Sequence, residues 1–147
     1  MTAIRKEQIE SKLLLFFSER KEVLFAYLFG SVAKESAGRL SDIDIAVYLD
    51  PSQISQANGY GYKSELLVDL QAVLKDKVDL VILNEASTVL GYQVLKTGTL
   101  VYCALESERR KFHENTVKKY LDLKPLLKVQ SYYLRKRLAE GKFGGGK

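Results

Sequence analysis

The sequence predicts an α+β domain in which a small mixed sheet is flanked by helices. Three observations carry this expectation. Four short apolar runs read as strands, segments of helical periodicity stand before, between and after them, and 147 residues are enough for one domain with a full core. The organisation expected is a core over residues 1–105, a helical segment of the same domain over 106–140 and a flexible tail over 141–147, the last reading GKFGGGK.

In chain order, residues 4–20 place Ile9, Leu13, Phe16 and Phe17 on one side of an amphipathic helix. VLFAYLFG at 23–30 is a buried strand closed by a glycine, and a loop containing Gly30, Ser31 and Gly38 follows. IDIAVYL at 43–49 is a second strand, with Ile43, Ile45 and Val47 toward a core and Asp44, Ala46 and Tyr48 on the other, charge-bearing face. Pro51 interrupts the chain, and Asn58, Gly59 and Gly61 make a mobile-looking stretch ahead of a helix at 64–75. VDLVIL at 78–83 is the third strand, 86–98 a short helix ended by Gly98, and TLVYCAL at 99–105 the fourth strand. A long helix then runs from about Ser107 to Leu138, with Phe112, Val117, Tyr120, Leu121, Leu127, Leu134 and Leu138 as its buried positions. Pro125 is expected to kink or split it.

Composition excludes several classes. With 46% hydrophobic residues, 28% charged and two prolines, the chain is neither collagen-like nor low-complexity nor disordered. No apolar run is long enough to span a bilayer and MTAIRKEQIESK lacks the form of a signal peptide, so a cytoplasmic protein is expected. Cys103, alone, has no disulfide partner and reads as a small buried hydrophobe. His113, the single histidine, opens a helix and is no candidate base. The formal charge of +5 is uneven: residues 1–106 hold 11 Lys+Arg against 14 Asp+Glu, and residues 107–147 hold 12 against 4. The basic C-terminal segment reads first as a docking surface for an acidic protein partner or a flank for phosphates, and second as a nucleic-acid contact.

The chemistry is concentrated in GSVAKESAGRLSDIDIAV, residues 30–47. Asp42 and Asp44 lie two apart on an extended chain, so both side chains share a face with Cα atoms roughly 6 to 7 Å apart. Two carboxylates so close repel unless a cation compensates them, and an all-oxygen donor set selects a hard ion such as Mg²⁺. Asp79, between apolar neighbours in the third strand, completes a triad if that strand lies beside the Asp-x-Asp strand. Gly30 and Ser31 supply backbone amides and a hydroxyl to which a phosphate can come close, and Lys34 and Arg39 between them and the Asp pair read equally as contacts for a triphosphate or as solvated loop charges. Alone, Gly-Ser is a turn and Ser-Asp-x-Asp a cap; in this spacing between apolar strands they point to metal-assisted nucleotidyl transfer.

Gly-Ser, ten residues and Asp-x-Asp, with a later strand aspartate, resembles the nucleotidyltransferases related to DNA polymerase beta, and among them the minimal nucleotidyltransferases, over about Tyr27 to Leu83. The resemblance implies that Asp42, Asp44 and Asp79 are catalytic and bind Mg²⁺, and that Gly30 and Ser31 hold the triphosphate of ATP. Members commonly read GSxARG where this chain has GSVAKE, so Lys34 keeps a positive charge and Glu35 replaces a glycine. It further implies an antitoxin paired with a HEPN-domain ribonuclease toxin, to a tyrosine of which it moves AMP from ATP. Arg109 and His113 are too closely spaced for the nuclease pair of a HEPN protein, so this chain is not the toxin. The alternatives are a small-molecule, antibiotic-modifying nucleotidyltransferase and a non-catalytic binding antitoxin; the roughly 40 residues after the last strand leave little room for an acceptor pocket of the first kind.

Overall fold

The computed structural model describes residues 2–30, 42–54 and 59–139. Its elements are α1 (Thr2–Ser18), β1 (Val23–Phe29), β2 (Ile43–Leu49), a short 3-10 turn (Pro51–Gln53), α2 (Gly59–Leu74), β3 (Val78–Ile82), α3 (Thr88–Thr97), β4 (Thr99–Cys103) and α4 (Glu106–Ala139). The strands form one mixed sheet in the order β3-β2-β1-β4. The β2/β3 pair is parallel, with α2 in the crossover, and both pairings of β1 are antiparallel. The predicted α+β class and the identity of every predicted element are observed.

Helices cover both faces of the sheet. On one face Ile9, Leu13 and Phe17 of α1 and Leu66 and Leu70 of α2 pack against Ile43, Ile45 and Val47. On the other, Phe25, Tyr27 and Ala46 meet Val94 of α3 and Phe112 of α4. The second strand therefore does not have one core face and one charged face: Ala46 is buried, and Tyr48 stacks on Phe25 with ring centroids 4.9 Å apart. Only its N-terminal end carries charge, because the aromatic residues of β1 need apolar cover from a second layer of helices.

Polar ties fix the helices around this core. The guanidinium of Arg20 donates to Asp69 of α2 at 2.6 Å and stands over the Phe16 ring, while Arg5 pairs with Asp76 just ahead of β3. The hydroxyl of Tyr62 donates to Glu22 at 2.6 Å, and burial with that acceptor pushes its ionisation far above the usual tyrosine range. At the far end of β2 the Asn84 side chain both accepts from and donates to the Leu49 backbone, each at 2.8 Å.

The C-terminal helix departs most from expectation. Glu106–Ala139 is one continuous α-helix that Pro125 does not split. The proline leaves the carbonyl of Leu121 without its helical donor, and since Leu121 is exposed, water can satisfy that group. Of the seven positions expected to be buried, Phe112, Val117, Tyr120 and Leu127 are half-buried, whereas Leu121, Leu134 and Leu138 are exposed. The reason is the length of the partner: α3 has ten residues and supports only the start of α4, where Thr116 packs on Gly91 and Tyr120 stacks on Tyr92 at 3.8 Å. Thr116, which a hydrophobic pattern does not mark, is the buried residue of this helix.

Smaller differences follow from local chemistry. Cys103 is half-buried rather than buried, and its thiol lies 3.5 Å from a Glu106 carboxylate oxygen. The helix expected from residue 64 begins at Gly59, so Gly59 and Gly61 lie in a first turn, where they cost less than in a helix interior. Tyr132 and Tyr133 touch each other edge to face and are otherwise exposed. The tail over 141–147 lies outside the described residues. Among the described residues no helix is long and apolar enough to cross a membrane.

Candidate active site

Strand pairing brings the chemistry-bearing residues to one edge. In the antiparallel β1/β2 ladder Phe29 lies opposite Asp44, so Gly30 follows directly beside that aspartate. In the parallel β2/β3 ladder Asp44 lies opposite Asp79, which satisfies the condition set by the sequence for a third carboxylate. Asp42 stands one residue ahead of β2 and is exposed. The Ile43 amide donates to the Lys77 carbonyl at 3.0 Å, extending the pairing to the level of Asp42.

Gly30 has a structural duty that its sequence context does not reveal. Its φ is +75°, the left-handed region, and a Cβ built on it would lie 2.0 Å from Asp44 Oδ2 and 2.9 Å from Asp44 Cγ. The Asp44 carboxylate therefore rests on the bare Cα of Gly30. Gly98 acts similarly behind the site: a Cβ there would meet the Val94 carbonyl at 2.5 Å and the Leu28 carbonyl and Phe29 Cβ at 3.3 Å. Its absence lets the end of α3 close onto the end of β1. The signal available in the sequence was only a glycine after a helix, which reads as a cap.

Electrostatics at this edge are unfavourable for the carboxylates alone. Burial pushes the ionisation of Asp44 above the usual carboxylate range, and the charges of Asp79 and Asp42 and a hydrogen bond with Asp79 push it further. Asp79 is exposed, and Asp44 is half-buried. As they stand, no three acidic, His or Cys side chains among the described residues are drawn together tightly enough to hold a metal ion. The donor chemistry nevertheless fits a hard divalent cation: every group is a carboxylate oxygen, and Asp44 carries like-charge repulsion that such an ion would reverse. Ser31, Lys34 and Arg39 lie outside the described residues.

The protein-family comparison decides what this arrangement is related to. Residues 11–107, which include all four strands and the Gly30, Asp42, Asp44 and Asp79 positions, match the family described as Polymerase beta, Nucleotidyltransferase. The chain belongs to that family. Within it, this nucleotidyltransferase is 36% identical over 97 residues to protein adenylyltransferase MntA of Shewanella oneidensis, an alignment spanning 66% of each chain. A chain in a solved toxin-antitoxin structure with AMP-PNP superposes with a TM-score of 0.70 at 29% identity, covering 86% of this nucleotidyltransferase and 98% of that chain. A second, from tri-AMPylated Shewanella oneidensis HEPN toxin in complex with MNT antitoxin, gives a TM-score of 0.62 at 28% identity, covering 92% and 99%. The resemblance to minimal nucleotidyltransferases drawn from the Gly-Ser and Asp-x-Asp spacing is thus borne out.

Proposed function

We propose that this nucleotidyltransferase is an antitoxin that transfers AMP from ATP to a tyrosine hydroxyl of a cognate HEPN toxin and thereby neutralises it. The observation that carries the reading is the juxtaposition of Gly30, Asp44 and Asp79 across three adjacent strands, in a chain similar to a protein adenylyltransferase. In the reaction the acceptor oxygen forms a bond to the α-phosphorus, the bond from that phosphorus to the bridging oxygen breaks, and pyrophosphate leaves. The hydroxyl proton passes to a carboxylate of the site. Asp42, Asp44 and Asp79 are the residues that would hold Mg²⁺, which supplies charge compensation for the triphosphate and for the departing pyrophosphate. Gly30, with Ser31, is the backbone platform for the phosphates, and Lys34 and Arg39 are the cations assigned to them. Gly30 also orients Asp44, because the carboxylate is seated against its Cα. The reading puts the reaction in the cytoplasm, where ATP is available.

The test is transfer of label from α-labelled ATP to the purified partner, with and without Mg²⁺. Wild-type protein labels the partner only with Mg²⁺ present, and Asp42→Asn and Asp44→Asn abolish labelling while retaining the fold. Full labelling by both variants refutes the assignment of the site, and neutralisation without any labelling refutes the transferase reading in favour of binding alone.

A further inference from the structure

The free half of α4 is the largest feature that the active site leaves unused. Residues 121–139 extend about 28 Å at a helical rise of roughly 1.5 Å per residue. Within this span only Leu123 and Leu127 are even half-buried. A lone helix of this length is marginal in water and gains most of its stability from an apolar face packed on something else. Here such a face exists, and among the described residues nothing covers its far end: Leu123, Leu127, Leu134 and Leu138 follow one side of the helix at spacings of four, seven and four, and Leu134 and Leu138 are 43% and 53% exposed.

Charge and shape narrow the occupant. Residues 121–139 contain five basic side chains and one acidic, and Lys124, Lys128 and Arg135 flank the leucine row. Packing this row against a second copy of itself would align those cations with their own counterparts, a like-charge juxtaposition that opposes pairing. A bilayer fits poorly too. Leu126, Val129 and Tyr133 form a second exposed apolar row roughly 120° round the helix with Arg137 between the two, and a planar bilayer cannot cover both rows without pressing that guanidinium toward the acyl region. A protein surface that wraps the helix and carries carboxylates can.

We propose that residues 121–139 of α4 are a docking helix that seats in an acidic face of the HEPN partner. The inference rests on the antitoxin reading above and deepens it by locating the contact. It assigns a role to the basic segment that is separate from phosphate binding, since the helix carries the positive excess of the chain and the Asp-rich edge lies on the sheet.

The experiment measures affinity between the full-length chain and the HEPN-type protein encoded beside it, by calorimetry at low and moderate salt. Leu134→Asp combined with Leu138→Asp weakens binding at least tenfold without lowering the thermal midpoint, because both sites are exposed. Lys128→Glu combined with Arg135→Glu weakens it at least tenfold at low salt, and less as salt rises. Unchanged affinity in both double variants overturns the docking assignment while leaving the transferase reading intact, provided the wild-type chain still binds and labels the partner. No binding by the wild-type chain overturns both. A wild-type homodimer that the leucine variant dissolves, with partner affinity unchanged, makes a second copy the occupant and overturns the proposal. So does co-sedimentation with phosphatidylserine vesicles lost in that variant alone.

Discussion

Replacing Gly30 by alanine tests the link between backbone geometry and chemistry. The added methyl group would stand 2.0 Å from Asp44 Oδ2 and 2.9 Å from Cγ, inside any allowed contact, so the carboxylate must swing away. The φ of +75° adds about 1–2 kcal/mol for a residue with a Cβ in the left-handed region. With an unfolding entropy of about 0.3 kcal/mol per degree for a domain of this size, that strain lowers the thermal midpoint by about 3–6 °C. Displacement of Asp44 by about 1 Å is expected to cost on the order of 100-fold in transfer rate. Gly61→Ala is the control: its Cβ meets nothing within 4 Å, so the midpoint holds or rises and activity is unchanged. Asp44→Ala in the Gly30→Ala background removes the contact and leaves only the φ strain, so the two substitutions are non-additive in stability. Calorimetric melts and α-labelled ATP transfer read both effects. Wild-type activity in Gly30→Ala, or additive stabilities in the double variant, would refute the argument.

Other expectations follow from the same structure. Asp44 binds its proton more tightly in the folded chain than in the unfolded one, so stability falls as pH rises through and just above the carboxylate range; Asp44→Asn therefore raises the midpoint at pH 7, and added Mg²⁺ raises that of the wild type but not of this variant. Glu106 behaves oppositely: its hydrogen bond from Arg109 holds its pKa at about 2, so its contribution is present above pH 4.5 and disappears as pH falls toward 2. Glu106→Gln should flatten that acid limb in pH-dependent melts. Phe17→Ala removes a ring with no exposed surface and should cost about 3–5 kcal/mol, a fall of at least 10 °C or so in the midpoint without selective loss of transfer activity relative to folded protein.

Much of this arrangement was legible because its causes are local. The alternation in DIDIAVYL, residues 42–49, places Asp42 and Asp44 on one face whatever the strand pairs with, and the apolar runs around them allow little but strands. What pairing decides could only be stated as a condition: that Asp79 reaches Asp44 depends on β3 lying parallel to β2 in one register. Gly30 was legible as a site where a phosphate can approach, whereas its role as the seat of Asp44 depends on the β1/β2 ladder. The errors in α4 have the same origin. Periodicity marks Leu134 and Leu138 as apolar positions, but burial requires a partner, and α3 is too short to supply one that far along.

The aspartates at the sheet edge beside Gly30 are assigned to transfer AMP to a partner protein. The intact mass of the HEPN-type partner after incubation with ATP, Mg²⁺ and this chain tests that assignment most directly. The mass increases by whole adenylyl units with wild-type protein and does not change with Asp42→Asn or Asp44→Asn. An unchanged mass with folded, neutralising wild-type protein, or an equal increase with both variants, would contradict it.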